Sequence, residues 1–151
     1  MEGFVHMETA VDQLKKGLTA AFIDKGVYSG ESYRPQLVLN NHKLGQKVLT
    51  SLETELNNCD EFFISVAFIT MSGITPLLQT LQELEADGVK GKIITTDYLS
   101  FSEPAALEKL NSFRNIELKF YCAGDRGFHT KGYIFRRGEE YRIIVGSANL
   151  T

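Results

Sequence analysis

Four stretches of the chain repeat apolar residues at the three- and four-residue spacing of an amphipathic helix. They predict helices over residues 10–22, 44–56, 72–87 and 102–113. Glycine follows the first and third stretches, at Gly26 and Gly88, and proline lies near the start of the third and fourth, as is common at helix ends. The stretch 27–35, rich in Gly, Ser and Tyr, breaks the first helical pattern and predicts a loop.

Short apolar runs between these helices predict strands. Three of them, at residues 61–68, 89–96 and 116–122, alternate with the third and fourth helices. Strands joined by helices of this length form parallel sheets with right-handed crossovers. Two further strands, at 128–136 and 141–145, are separated by a short polar segment containing Gly138 and predict a hairpin. We therefore expect an α/β fold in which a β-α-β-α-β parallel unit is followed by an antiparallel pair, so that the sheet is mixed.

Length and charge are those of an ordinary soluble domain. The chain has 151 residues, 43% of them hydrophobic, and a formal charge of −3, and a chain of this length can bury a real core. We expect an N-terminal helix and loop at residues 1–35 and one domain at 36–151, truncated at its C-terminus as part of a longer protein. The mildly acidic balance gives no general electrostatic footprint for nucleic acid, so such contacts must be local or come from another part of the protein.

Several classes of protein have no support in the sequence. The longest apolar run, 62–71, is about half the ~20 residues that a membrane helix needs, and the N-terminus lacks the pattern of a secretory signal. Cys59 and Cys122 form no CxxC motif, which argues against a zinc site or a disulfide framework. We expect a cytoplasmic protein without a membrane anchor. Motifs of zinc peptidases, P-loop nucleotidases, serine hydrolases and dinucleotide-binding proteins do not occur.

The candidate chemistry lies in the predicted hairpin. His129 and Lys131 are two residues apart and would project from one face of a strand, while Thr130 would project from the other. With a three-residue loop, 137–139, Ser147 would stand opposite His129, and Asn149 would share its face if the strand continued. These four side chains suit a phosphodiester: an imidazole can attack phosphorus, and a cation with neutral donors can hold the non-bridging oxygens without a metal or other cofactor.

The two segments together resemble the HKD motif of the phospholipase D superfamily. The resemblance rests on the pair His129-x-Lys131 and on Gly146-Ser147-x-Asn149-x-Thr151, within the strings FHTKGYIF and YRIIVGSANLT. These strings are most similar to the phospholipase-D-like module at the N-terminus of bacterial superfamily-2 helicases and to the module of metal-independent restriction nucleases. The resemblance implies a sheet with helices on both faces. It also implies that His129 is the nucleophile and that Lys131, Ser147 and Asn149 hold the phosphate.

The family uses a second histidine as general acid, and only one such motif is present here. Neither His6 nor His42 lies in a comparable context. The resemblance therefore implies a homodimer that pairs two motifs across a twofold axis, acting on DNA and followed by a helicase domain in the full-length chain.

Two features depart from the family pattern. Arg136 stands where the motif has a largely structural aspartate, and 14 residues, 132–145, separate Lys131 from Gly146, which is a longer hairpin than usual. The carboxylate that orients the histidine usually follows the GSxN segment. Within this sequence Asp125, Glu139 and Glu140 are the substitutes to test.

Other side chains are weaker candidates. Asp97 ends a predicted parallel strand, where open α/β sheets bind ligands. The arginines beside the HxK strand suit contacts with a nucleic-acid backbone, and an aromatic and basic loop suits stacking on bases. The arginines are Arg126, Arg136 and Arg137, and the loop residues are Tyr28, Tyr33 and Arg34.

Three functions remain open at this point. The first is a metal-independent nuclease that works through a phosphohistidine. The second is a module that binds the phosphate without cleaving it and positions DNA for a motor. The third is a lipid phosphodiesterase, for which the sequence offers no membrane-binding face.

Overall fold

The structure is a computed structural model that describes residues 8–122, 124 and 126–151, with the side chains of Glu31 and His42 excepted. The chain divides into two compact units, Met1–Asn40 and Asn41–Thr151. His6 and Asp125, both considered above, lie outside the described residues.

The first unit contains helix α1, Ala10–Phe22, and a 3-10 turn, Glu31–Tyr33. Thr9 caps α1 in a capping box: its hydroxyl accepts from the amide of Asp12, and the Asp12 carboxylate accepts from the amide of Thr9. Gly17 faces the backbone carbonyl of Tyr33 so closely that a Cβ atom would overlap it. Glycine at this position therefore lets the helix lie against the following turn.

The second unit is built on a five-stranded mixed sheet, which confirms the α/β fold predicted from the sequence. The strands are β1 (Glu61–Val66), β2 (Lys90–Thr96), β3 (Ile116–Tyr121), β4 (Lys131–Arg137) and β5 (Glu140–Val145). Their order in the sheet is β3-β2-β1-β4-β5, with β1, β2 and β3 parallel and with β4 antiparallel to both β1 and β5. The parallel unit and the hairpin are thus joined side by side through β1 and β4.

The helices of this unit are α2 (Val48–Leu56), α3 (Met71–Ile74), α4 (Leu78–Ala86) and α5 (Pro104–Asn111). The helix predicted from residue 44 begins only at Val48, because Gly45 adopts a φ of +66° in a turn. The helix predicted over 72–87 is interrupted at Thr75–Leu77 by a 3-10 turn around Pro76, which has no backbone N–H to donate. None of the described helices is long and apolar enough to cross a membrane.

The described helices of the second unit pack against one face of the sheet, so the expectation of helices on both faces is wrong here. Buried residues from all four helices form one core with Phe62, Ile64, Val66, Ile93, Tyr133 and Phe135. The order β1-β2-β3 runs in one direction, and right-handed crossovers that run in one direction place their helices on one side. The opposite face carries a shallow depression of about 260 Å³ bounded by Phe63, Ile94 and Ile134, and on it Ile143 and Val145 are exposed.

Candidate functional site

The carboxyl ends of the parallel strands and the start of β4 meet at one edge of the sheet. Four segments lie there: 67–70 after β1, 97–103 after β2, the described residues 122, 124 and 126–130 before β4, and 146–151 after β5. Open α/β sheets bind ligands outside the carboxyl ends of their parallel strands. Three of the four predicted site residues contact one residue at this edge, Phe68: His129 and Lys131 lie near its ring, and Asn149 bonds to its backbone N–H.

His129 lies two residues before β4 begins, and its ring is exposed. The imidazole meets the Phe68 ring edge to face, with the two ring centroids 5.7 Å apart, and the Tyr98 ring at 6.1 Å in a similar arrangement. The imidazole of His129 is thus exposed to solvent, and its contacts with two aromatic rings define its position. A nucleophile needs this combination of a defined position and access to the substrate.

Lys131 is the first residue of β4 and points to the helix-covered face, where it is buried. Its Nζ donates to the carbonyl oxygen of His129 at 3.1 Å and lies 5.9 Å from the centroid of the Phe68 ring. The neighbouring Thr130 lies on the other face of the sheet, where its hydroxyl is 2.6 Å from that of Ser65. The predicted proximity of His129 and Lys131 is therefore present, although His129 precedes the strand.

Asn149 reaches the same point from the end of the chain. Its Oδ1 accepts a hydrogen bond from the backbone N–H of Phe68 at 3.3 Å. Two backbone bonds flank it: Leu150 N–H donates to Phe68 O at 3.2 Å, and Thr70 N–H donates to Leu150 O at 2.8 Å. Segment 146–151 is thereby attached alongside the loop that follows β1.

Ser147 is where the structure departs from the sequence prediction. The hairpin pairs Arg137 with Glu140, so its loop has two residues, Gly138 and Glu139, rather than three, and the register is shifted by one. Regular pairing ends at Gly132 and Val145, and Ser147 does not stand opposite His129 on a continuing strand. Its hydroxyl is exposed and makes no hydrogen bond within the described part of the chain.

The backbone on either side of Ser147 is nevertheless held against β4. The amide of Gly146 donates to the carbonyl of Lys131 at 3.3 Å, and the Tyr133 hydroxyl donates to the carbonyl of Ala148 at 2.8 Å. Tyr133 is 2% exposed, and burial raises the pKa of its hydroxyl to about 12. The hydroxyl consequently stays a donor at neutral pH and ties the GSxN segment to the core.

Several charged candidates lie away from this edge. Glu139 and Glu140 lie at the far end of β4, which is seven residues long, so about 20 Å of strand separates them from His129. Neither can orient the imidazole. Arg136 and Arg137 lie at the same far end. Arg136 Nε donates to Glu61 Oε2 at 3.3 Å, and Arg137 Nε donates to the carbonyl of Asn58 at 2.7 Å. Of the three arginines, Arg126 alone lies in a segment next to the site.

Sequence reasoning missed the aromatic side chains around His129. Phe68, Tyr98 and Phe101 come from two different loops, and none was singled out. The Phe68 ring lies 5.1 Å from Phe101, edge to face, and 6.5 Å from Tyr98, nearly parallel. The available signal was the position of Phe68 at the end of the first predicted strand and of Tyr98 two residues after the second. Among the described residues, no group of three or more His, Cys, Asp or Glu side chains is arranged to hold a metal.

No protein-family model matches the chain, and no curated protein matches it significantly.

Proposed function

We propose that this chain is a phospholipase-D-like phosphodiesterase module that cleaves DNA without a metal ion, through a phosphohistidine on His129. The observation that carries the proposal is the grouping of His129, Lys131 and Asn149 around Phe68 at the carboxyl edge of the sheet. The HxK and GSxN segments that resemble the family motif are 15 or more residues apart in sequence. Their convergence on one residue, Phe68, supports a shared phosphate site. The parallel unit followed by a hairpin supports the phospholipase-D-like fold.

The exposed imidazole is the group with the chemistry for attack. In the first step an imidazole nitrogen forms a bond to phosphorus, and the bond from phosphorus to the leaving oxygen breaks. In the second step water attacks the phosphohistidine and the bond from phosphorus to nitrogen breaks. The Lys131 ammonium and the Asn149 amide stabilise the charge on the non-bridging oxygens, with Ser147 as a further donor.

The leaving oxygen needs a proton, and the water of the second step must lose one. A second histidine performs both transfers in the family, and we propose that it is His129 of a second copy of the chain. A symmetric dimer supplies such a residue without a second motif in the sequence. We further propose that the module belongs to a larger helicase or restriction-type enzyme, and that Arg136 replaces the motif aspartate as a structural residue through its bond to Glu61.

The test is cleavage of plasmid and single-stranded DNA in excess EDTA by the wild-type chain and by the variant His129→Ala. His42→Ala is the matched control, since it removes the other histidine of the second unit. We expect EDTA-resistant cleavage in the wild type and the control and none in His129→Ala. An acid-labile phosphate adduct should be trapped on the wild type and on His42→Ala, but not on His129→Ala.

Cleavage by His129→Ala at the wild-type rate would overturn the proposal. DNA binding without cleavage by any form of the chain would assign the site to the second function, a phosphate-binding module. Release of choline from phosphatidylcholine vesicles, lost in His129→Ala, would instead assign it to lipid phosphodiesters.

A further inference from the structure

The surface around His129 is aromatic to a degree that phosphate chemistry does not require. Phe68 and Tyr98 are half-buried, and 60% of Phe101 is exposed. All three rings lie within one connected set whose fourth member is the imidazole. A further ring pair, Tyr121 and Phe128, lies at the same edge with centroids 5.4 Å apart.

The loop that carries Tyr98 and Phe101 is held in an unfavourable backbone conformation. Leu99 and Ser100 have φ values of 58° and 52°, in the left-handed region that is unfavourable for residues other than glycine. Two hydrogen bonds hold the turn: Ser100 N–H donates to Asp97 O at 2.9 Å, and Tyr98 N–H donates to Thr96 Oγ1 at 3.2 Å. Strain of this kind persists only where the surrounding structure imposes it, and it is common at functional sites.

The end of the loop is anchored as firmly as its start. The Ser102 hydroxyl accepts from the amide of Ile69 at 3.2 Å, and Glu103 N–H donates to Ile69 O at 2.8 Å. Ser102 is thus a link between two loops and not the cap of α5, whose capping position is Glu103. Because hydrogen bonds hold both ends of the loop, Phe101 is exposed on an anchored segment, and its ring contacts Phe68, which also contacts the imidazole.

We infer that this aromatic surface, Phe68, Tyr98 and Phe101, stacks on an unpaired base next to the phosphate held at His129, so that the substrate is a single-stranded or frayed nucleic acid. The inference rests on the proposed function and names its substrate class. Aromatic rings bind bases of single strands through their faces with little sequence preference. In a duplex those faces are covered by neighbouring bases, so a base must leave the stack to reach the rings.

The charge of the chain agrees with this mode of binding. A protein that holds duplex DNA by its backbone uses many Lys and Arg contacts, whereas this chain has a net charge of −3 and only Lys131 and Arg126 in the segments next to His129. Stacking supplies affinity that does not depend on cations. We therefore expect binding that weakens only slightly between low and moderate salt.

The experiment measures binding by fluorescence anisotropy in excess EDTA, with a single-stranded oligonucleotide, the blunt duplex of the same sequence, and a single strand with abasic sites. Every protein carries His129→Ala so that the probes are not cleaved, and the chain with wild-type rings is compared with Tyr98→Leu, Phe101→Leu and the double variant. Tyr141→Leu is the control, because this exposed ring lies on β5 at the far end of the sheet. Leucine keeps apolar bulk and removes the aromatic face, and urea unfolding checks that each variant is folded.

We expect the chain with wild-type rings to bind the single strand at least tenfold more tightly than the duplex or the abasic strand. Each ring substitution should weaken single-strand binding about fivefold or more, and the double variant should no longer distinguish the normal strand from the abasic one. Tyr141→Leu should bind as the chain with wild-type rings does. Equal binding of single strand and duplex, or unchanged binding in the folded double variant, would overturn the inference.

Cleavage separates this inference from the proposed function. If His129→Ala abolishes cleavage while the ring variants keep the wild-type preference for single strand over duplex, the proposed nuclease function is supported and the stacking surface is refuted. If the ring variants lose single-strand binding while no form of the chain cleaves, the stacking surface stands and the nuclease does not.

Discussion

Phe68 and Asn149 are separated by 81 positions in sequence and joined by a hydrogen bond from the Phe68 amide to Asn149 Oδ1 at 3.3 Å. The ring of the same phenylalanine contacts the His129 imidazole and lies beneath the Lys131 ammonium. Phe68, in the loop after β1, thus links the two sequence segments that resemble a phosphodiesterase motif. Changes in either segment are consequently expected to affect the other.

Substitutions at Asn149 separate the structural part of this link from its chemical part. Asn149→Ala removes the acceptor of the Phe68 amide and should lower the free energy of unfolding by about 1 kcal/mol. Asn149→Asp keeps an acceptor at the same place and should restore most of that stability, but its negative charge repels a phosphate. We expect neither variant to cleave DNA, and urea unfolding curves together with cleavage assays check this. Full activity in Asn149→Asp would show that the side chain has only the structural role.

Gly73 controls how closely segment 146–151 approaches the rest of the fold. A Cβ atom on Gly73 would overlap the backbone of Leu150, next to Asn149. We expect Gly73→Ala to displace that segment, to lower the free energy of unfolding by about 1–3 kcal/mol, and to weaken DNA cleavage further than stability alone explains. The matched variant is Gly91→Ala, whose Cβ would overlap the buried Phe62 ring at the other end of the sheet. Equal activity of the two variants at equal folded fraction would contradict the prediction.

Much of the fold was predictable because its signals are local. The runs 61–66, 90–96 and 116–121 are short, apolar and flanked by helical stripes, and each is a strand. The errors arose at single residues whose backbone geometry interrupts or shortens a predicted element. Pro76 divides a helix that its apolar stripe presents as continuous, and Gly138 at a φ of +56° shortens the hairpin loop to two residues.

The candidate site was predictable only in part, because its members come from four loops. The HxK and GSxN spacing indicated His129, Lys131 and Asn149, which the structure groups around Phe68. The location of Ser147 depended on a register that one loop residue changes. The aromatic residues Phe68, Tyr98 and Phe101 belong to no periodic pattern, and contacts between loops set their arrangement.

Two buried ionisable groups, the Cys59 thiol and the Tyr133 hydroxyl, determine how we expect stability to change at high pH. Burial raises the pKa of the Cys59 thiol from 9.0 to about 11 and that of the Tyr133 hydroxyl from 10.0 to about 12. The unfolded chain releases these protons at lower pH than the folded chain, so the free energy of unfolding falls as pH rises, from pH 9 to about 11 for Cys59 and from pH 10 to about 12 for Tyr133. Each group's contribution is complete below its unfolded pKa.

Urea unfolding from pH 8 to 12 measures this fall. The decline should be shallower in Cys59→Ala and in Tyr133→Phe than in the wild type, each over its own pH range. At neutral pH, Tyr133→Phe should also lose about 1 kcal/mol, because the carbonyl of Ala148 loses its donor. A decline identical in all three proteins would show that neither group is protonated more tightly in the folded chain.

The two cysteines should differ sharply in reactivity towards a thiol reagent such as DTNB. Cys122 is exposed directly after β3, whereas Cys59 is 8% exposed, donates to the carbonyl of Leu56 at 3.2 Å and has a pKa of about 11. Because the thiolate is the reactive form, we expect one thiol per chain to react quickly at pH 8 and the second only after the chain unfolds in urea. Cys122→Ser should abolish the fast phase, and Cys59→Ala should leave it unchanged. Two fast thiols in the native wild type would mean that the contact between the end of α2 and β1 opens readily, and that Cys59 is not part of a stable core.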